Sequence, residues 1–187
     1  MIKSVFVLFL LPLVLFQYTI EAAPAQVIII SHAEKSLNGP SLSQRGRERA
    51  AAYVPYFLET KELLKAGLPS AIYAIKSSKE SAPYAIDTIL PLADALKLAV
   101  NDRFAREDYK NMVQSVMHDP NLDGKSVLIC WDPQFIPEIA REFKALLTPC
   151  KWHSNVTDRV WLIAIAPSGK TTFTNIPQRL LFGDCGQ

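Results

Sequence analysis

Five short apolar runs punctuate the chain, and stretches of helical periodicity separate most of them. "QVIIIS" (26–31), "SAIYAI" (70–75) and "SVLICW" (126–131) are continuously apolar and β-branched, as buried strands are. Between the first two, apolar residues including Ala50, Val54, Phe57 and Leu58 recur at helical spacing behind Ser43, a suitable N-cap, and Pro55 predicts a kink or a restart. Further helices are predicted from Ala85 to Leu98, from about Ala105 to Met117, and from Ile136 to Leu147; "HDPNLDGK" ends the second of these in turn chemistry. "RVWLIAIA" and "TTFTNI" predict a hairpin joined by Pro167-Ser168-Gly169-Lys170. Strand and helix alternate, which predicts a mostly parallel central sheet covered by helices on both faces, an α/β/α sandwich. No repeat or low-complexity tract interrupts it.

At 187 residues the chain suits one domain. Part of its 49% apolar content belongs to the N-terminus: Met1-Ile2-Lys3, an apolar stretch from Val5 to Phe16 and the small residues of "EAAPA" have the layout of a secretory signal peptide. The expected division is therefore 1–22, signal peptide, and 23–187, mature domain, with cleavage after Ala22 or Ala25. An uncleaved anchor helix fits less well, because the run is short and Pro12 interrupts it. The expected destination is extracellular, with no membrane attachment after cleavage.

Secretion changes how other residues read. Asn155-Val156-Thr157 becomes a glycosylation acceptor, which makes the chain a candidate glycoprotein. Of three cysteines, Cys130 ends an apolar strand and is the expected free thiol, while Cys150 and Cys185 lie in polar surroundings and are the expected disulfide. The net charge is +2 and its basic residues are scattered among acids, so no nucleic-acid stripe emerges. "APSGKTT" imitates the end of a nucleotide-binding loop, but Ala164 stands where that loop needs glycine, and strand-forming residues follow where it needs a helix.

Ligands of open parallel sheets bind beyond the carboxyl ends of the strands. Three such ends carry chemistry here: Ser31-His32, Lys76-Ser77-Ser78-Lys79 and Trp131-Asp132-Pro133. The segments "VIIISHAEK…LSQRGRERAAAYVPYF", "IYAIKSS…TILPLADALKL", "GKSVLICWDPQFIPEIA" and "DRVWLIAIAPSGKTTFTNIPQRLLFGD" together resemble the histidine phosphatase superfamily, also called phosphoglycerate mutase-like, over nearly all of the mature chain. That resemblance implies a three-layer α/β/α fold, no metal or other cofactor, and a neutral histidine that attacks phosphorus within a clamp of two arginines and a second histidine. The nucleophile position falls on His32, and Asp132 is the candidate proton donor or merely a helix cap.

The resemblance also implies departures. The first arginine position is Ser31, the second is Tyr84, and the second histidine is Pro133. His118 and His153 lie too far along the chain to replace that histidine by simple alignment. Loss of one preorganised donor to a transition-state oxyanion typically costs ~10²–10³ in rate. The expectation is a secreted protein with the phosphatase fold and a degenerate pocket, a pseudoenzyme that binds phosphate, a phosphorylated small molecule or a protein partner, with His32 a relic or weak nucleophile. The alternative is an active phosphomonoesterase with His32 as the phospho-accepting nucleophile in a pocket rebuilt with Lys35, Lys79 and either Arg45 or Arg49; the candidate phosphate-binding residues are Ser31, Lys35 and Lys79. Without such a role, Lys35, Arg45, Arg47 and Arg49 read as a solvated loop and helix face. A third class, an acid-dependent enzyme using Glu34 or Asp132, lacks a partner nucleophile, and His-x-Glu at 32–34 is a weak metal signal.

Overall fold

The computed structural model describes residues 23–78 and 83–184. The signal peptide expectation, Lys79 and Cys185 therefore lie outside the described residues. Six strands form one sheet: β1 (Gln26–Ser31), β2 (Pro69–Ala74), β3 (Val100–Asn101), β4 (Ser126–Trp131), β5 (Arg159–Ile165) and β6 (Thr171–Pro177), in the spatial order β3-β2-β4-β1-β5-β6. The first four are parallel, and β5 and β6 run antiparallel at one side. Helices α1 (Gln44–Glu59) and α2 (Tyr84–Leu96) pack on each other, as do α3 (Tyr109–Met117) and α4 (Ile136–Glu142). With right-handed crossovers, the reversal of direction after β3 puts the two pairs on opposite faces of the sheet, so the sandwich has the three expected layers.

Burial explains the central strands. Every residue of β1 and of β4 is buried, which is what a strand covered on both faces requires. They pair in register, Gln26 with Ser126 through Ser31 with Trp131, so both chains leave the sheet at the same level. That pairing sets His32 and Asp132 side by side at the carboxyl edge. On α1 the buried face runs Gly46, Arg49, Ala50, Tyr53 and Phe57, one helical stripe that contains a buried arginine.

Several element boundaries differ from expectation for local reasons. Helix α1 runs without a restart through Pro55; the Ala51 carbonyl that loses its partner belongs to an exposed residue, where water can satisfy it. Helix α4 stops at Glu142 instead of reaching Leu147, since Lys144 and Leu147 take left-handed φ values of 58° and 62°. The third predicted helix begins only at Tyr109, and two residues of β3 pair with β2 where no strand was expected. The β5–β6 hairpin closes through Ala166 and Lys170 with Gly169 at φ 77°, and the lysine of the nucleotide-loop look-alike is a turn residue leading into a strand.

Candidate functional site

The loop after β1 is fixed from three sides. The Ala33 N–H donates to Thr88 Oγ1 at 2.8 Å, and the Thr88 hydroxyl donates in turn to the Tyr84 carbonyl at 2.6 Å, so α2 holds the turn. The Ser43 N–H donates to the Glu34 carbonyl at 2.8 Å. Gly46 sits so close to that carbonyl that a Cβ would meet its oxygen at 2.3 Å. Ser43 caps α1 by accepting the Gly46 N–H, and the start of the helix thereby clasps the loop that carries His32.

His32 is 6% exposed. Its Nδ1 lies 2.9 Å from the Ala33 carbonyl, which can only accept, so Nδ1 carries the proton. Burial lowers the pKa of the ring, the Ala33 hydrogen bond opposes this, Lys35 lowers it further and Asp132 raises it. The result is a neutral imidazole whose Nε2 keeps its lone pair. Chemically that is a competent nucleophile.

Ser31 Oγ donates to the Val156 carbonyl at 3.2 Å, and Trp152 Nε1 donates to the same oxygen at 2.8 Å. The serine hydroxyl has a single proton and uses it to anchor the segment from Trp152 to Val156. Tyr84 lies beside His32, with ring centroids 5.8 Å apart, and Lys35 Nζ stands 4.8 Å from the centre of the tyrosine ring. Asp132 Oδ1 accepts the Gln134 N–H at 2.9 Å, and Pro133 is buried.

Two compartments meet at His32, Lys35 and Asp132. The larger, a groove of about 1090 Å³, runs past Pro133, Pro137, Trp152, His153 and Asn155. The smaller, of about 280 Å³, is lined also by Lys76, Tyr84, Arg106 and Glu107. His153 thus reaches the same groove as His32 despite its distance in sequence, and Asn155, the expected glycosylation acceptor, stands exposed on the groove's wall. Lys76, placed by the sequence at a chemistry-bearing strand end but given no role there, lines the smaller compartment, and so does Arg106, which nothing in the sequence marks. Cys130 is buried, which pushes its thiol pKa up, and Cys150 is exposed on the groove, while its expected disulfide partner Cys185 lies outside the described residues. No cluster of His, Cys, Asp and Glu suited to a metal occurs among the described residues, and none of their helices is long and apolar enough to cross a membrane.

Arg45 and Arg49 enter neither compartment. Arg49 is 1% exposed and contacts Glu34, Gln178 and Asp184, with Nη2 2.7 Å from both Glu34 Oε1 and Asp184 Oδ1. Arg45 reaches the same two carboxylates, and Thr157 Oγ1 donates to Glu34 at 3.0 Å. Neither reading of Arg49 from sequence anticipated this role: it is a buried ionic clamp that joins α1, the His32 loop and the C-terminal segment. Arg47 is exposed, as its solvated reading requires.

No protein-family model matches the chain, and no curated protein matches it significantly. Solved structures do match. The protein histidine phosphatase SixA complexed with tungstate superposes with a TM-score of 0.56 at 14% identity, covering 82% of this chain and 97% of the other. Phosphoglycerate mutase from Plasmodium falciparum gives a TM-score of 0.56 at 12% identity over 87% and 97% of the two chains. A mycobacterial glucosyl-3-phosphoglycerate phosphatase in complex with inorganic phosphate gives 0.51 at 13% identity over 81% and 95%. At such identities the likeness establishes the fold: this chain has the phosphoglycerate mutase-like fold of the histidine phosphatases.

Proposed function

We propose that this chain is a secreted, ligand-binding protein built on the histidine phosphatase fold, in which phosphoryl transfer has been lost and recognition of a phosphorylated compound retained. One observation carries the reading: the hydroxyl of Ser31, the residue at the expected first arginine position, is committed to the Val156 carbonyl at 3.2 Å. A group that has spent its only proton on a backbone acceptor offers a phosphoryl oxygen nothing but lone pairs. Tyr84 and Pro133 add no charge, and with several members of a clamp absent the electrostatic stabilisation of a phosphoryl transition state is missing. The solved structures that share the fold include complexes with tungstate and with phosphate, which supports an oxyanion as the recognised group. The extracellular destination rests on residues 1–22 alone, and glycosylation at Asn155 on its sequon and exposure.

The second reading, a working phosphomonoesterase, is favoured by one specific feature, the Nδ1–H to Ala33 hydrogen bond that leaves His32 Nε2 free to attack. Turnover of a simple aryl phosphate by the purified domain separates the two. The binding reading expects turnover at background and measurable retention of tungstate. A kcat in the ordinary enzymatic range of about 1–10³ s⁻¹, abolished in His32→Ala, overturns it.

A further inference from the structure

Of the positions expected to clamp a phosphoryl group, Pro133 lines the large groove and Tyr84 the smaller compartment, and for its size the smaller compartment carries the denser positive charge. Three cations from three separate segments line the compartment of about 280 Å³: Lys35 after β1, Lys76 after β2, and Arg106 between β3 and α3. The backbone beneath them is held in place. The Lys76 N–H donates to the Phe104 carbonyl at 2.8 Å, and Trp131 Nε1 donates to the Arg106 carbonyl at 3.1 Å. Strand ends β2 and β4 thus both grip the segment that carries Arg106.

We propose that the oxyanion site of this chain has moved to this smaller compartment, with Lys35, Lys76 and Arg106 as its cations, and that the adjoining groove takes the bulky apolar or aromatic body of a phosphate monoester. The proposal rests on the ligand-binding reading above. Glu107 and Asp132 line the same compartment, so its formal charge is three cations against two carboxylates. Neither acid blocks it. Asp132 has one oxygen on the Gln134 N–H, and its other lies 3.8 Å from Arg106. The Arg106–Glu107 pair is close, 2.7 Å, but both side chains are about half exposed or more, at 45% and 64%. A solvated pair of this kind is weak, and its arginine can turn to a doubly charged ligand that offers more acceptors.

The division of labour follows from what each compartment can offer. A phosphate needs donors and charge close together; the groove spreads Lys151, His153 and Asn155 along a much larger space whose apolar surface comes from Pro133, Pro137 and Trp152, with Leu37 fully exposed at its edge. Its volume of about 1090 Å³ suits an organic group much larger than a sugar. His32, Lys35 and Asp132 line both spaces, so head and body can occupy them at once.

Calorimetric titration of the mature chain with tungstate, inorganic phosphate and 1-naphthyl phosphate tests this. Tungstate affinity is expected to fall about tenfold or more in Lys76→Gln and in Arg106→Gln, the scale of a lost charge-assisted hydrogen bond. Arg141→Gln, on the surface of α4, should bind as wild type. 1-Naphthyl phosphate is expected to bind at least about tenfold tighter than inorganic phosphate, from burial of its rings. Both lysine and arginine variants should melt normally, since the side chains are exposed. Tungstate binding that survives both substitutions overturns the relocated site while leaving the ligand-binding reading in place. A wild-type chain that binds neither tungstate nor 1-naphthyl phosphate overturns both. Equal affinity for inorganic and naphthyl phosphate overturns the assignment of the groove.

Discussion

Arg49 Nη2 lies 2.7 Å from Asp184 Oδ1 across 135 residues of chain, with the two side chains only 1% and 2% exposed. Asp184 uses its other oxygen to accept the backbone N–H groups of Leu180 and Leu181, so one carboxylate folds the C-terminal turn and ties it to α1. Removal of one partner leaves the other charge buried and uncompensated. Asp184→Ala and Arg49→Ala are each expected to cost about 3–5 kcal/mol in urea unfolding. A loss below about 1 kcal/mol for both would mean that the clamp is dispensable.

The same cluster predicts an acid limb. Against opposing desolvation, hydrogen bonds from Arg49 hold the carboxyls of Glu34 and Asp184 below the usual range, Asp184 the more strongly. A depressed folded pKa gives stability that is complete above the unfolded value, near pH 4, and is lost as pH falls through the folded value. Wild-type stability should therefore drop steeply below about pH 4. Asp184→Asn, already destabilised at neutral pH, should show a shallower drop in unfolding followed between pH 2 and 6.

Gly46 is predicted to be intolerant of any side chain. Its Cβ would sit 2.3 Å from the backbone oxygen of Glu34, an atom that cannot swing aside as a side chain would. Gly46→Ala should lower stability by about 1–3 kcal/mol through overpacking, although alanine is the better helix former. Relief of the clash requires the His32 loop to move off α1, so the variant should also weaken tungstate binding. A normal melting temperature with full binding would contradict the close approach.

The sheet was legible because "QVIIIS" and "SVLICW" are unbroken apolar runs, and a run buried on both faces admits few other readings. Two-residue β3 carries no periodicity to detect. The end of α4 depends on left-handed Lys144 and Leu147, conformations that these residue types do not advertise. At the site, His32 and Asp132 could be found because each follows a strand that the pattern located, whereas Ser31, Tyr84 and Pro133 stood out as substituted positions only through the family resemblance. Arg49 could not be assigned. In sequence it is one of three alternate arginines on a helix, and only the fold shows that Asp184 arrives to bury it. Arg106 escaped for the same reason, since its place beside His32 depends on contacts with Trp131 and the end of β2.

His32 is expected to titrate below its ordinary pKa of 6.5, with burial as the chief cause and the Lys35 charge adding to it. Proton NMR should follow its ring to a midpoint under 6.5, and Lys35→Ala should move that midpoint upward. Long-range nitrogen correlation at neutral pH should show the proton on Nδ1, as donation to the Ala33 carbonyl demands. An Nε2–H tautomer would contradict that hydrogen bond and remove the nucleophilic lone pair with it.

Ser31 distinguishes a structural hydroxyl from a phosphate ligand. Ser31→Ala removes one of two donors to the Val156 carbonyl, and Trp152 Nε1 remains at 2.8 Å, so the oxygen stays satisfied and the loss should be only about 0.5–1.5 kcal/mol. Tungstate affinity should be unchanged, because the hydroxyl proton already belongs to Val156. Ser31→Arg is the opposite case. The site is buried, the wider side chain must displace the segment from Trp152 to Val156, and overpacking of about 1–3 kcal/mol is expected before any catalytic gain. Combined with Pro133→His it restores two of the expected clamp residues, while Tyr84 still stands beside His32 where a second arginine would be needed. The double variant should therefore bind tungstate more tightly than Ser31→Arg alone and hydrolyse aryl phosphates above background but far below ordinary enzymes. If Ser31→Ala instead abolishes tungstate binding at unchanged stability, the hydroxyl serves the anion and the serine is part of a working pocket.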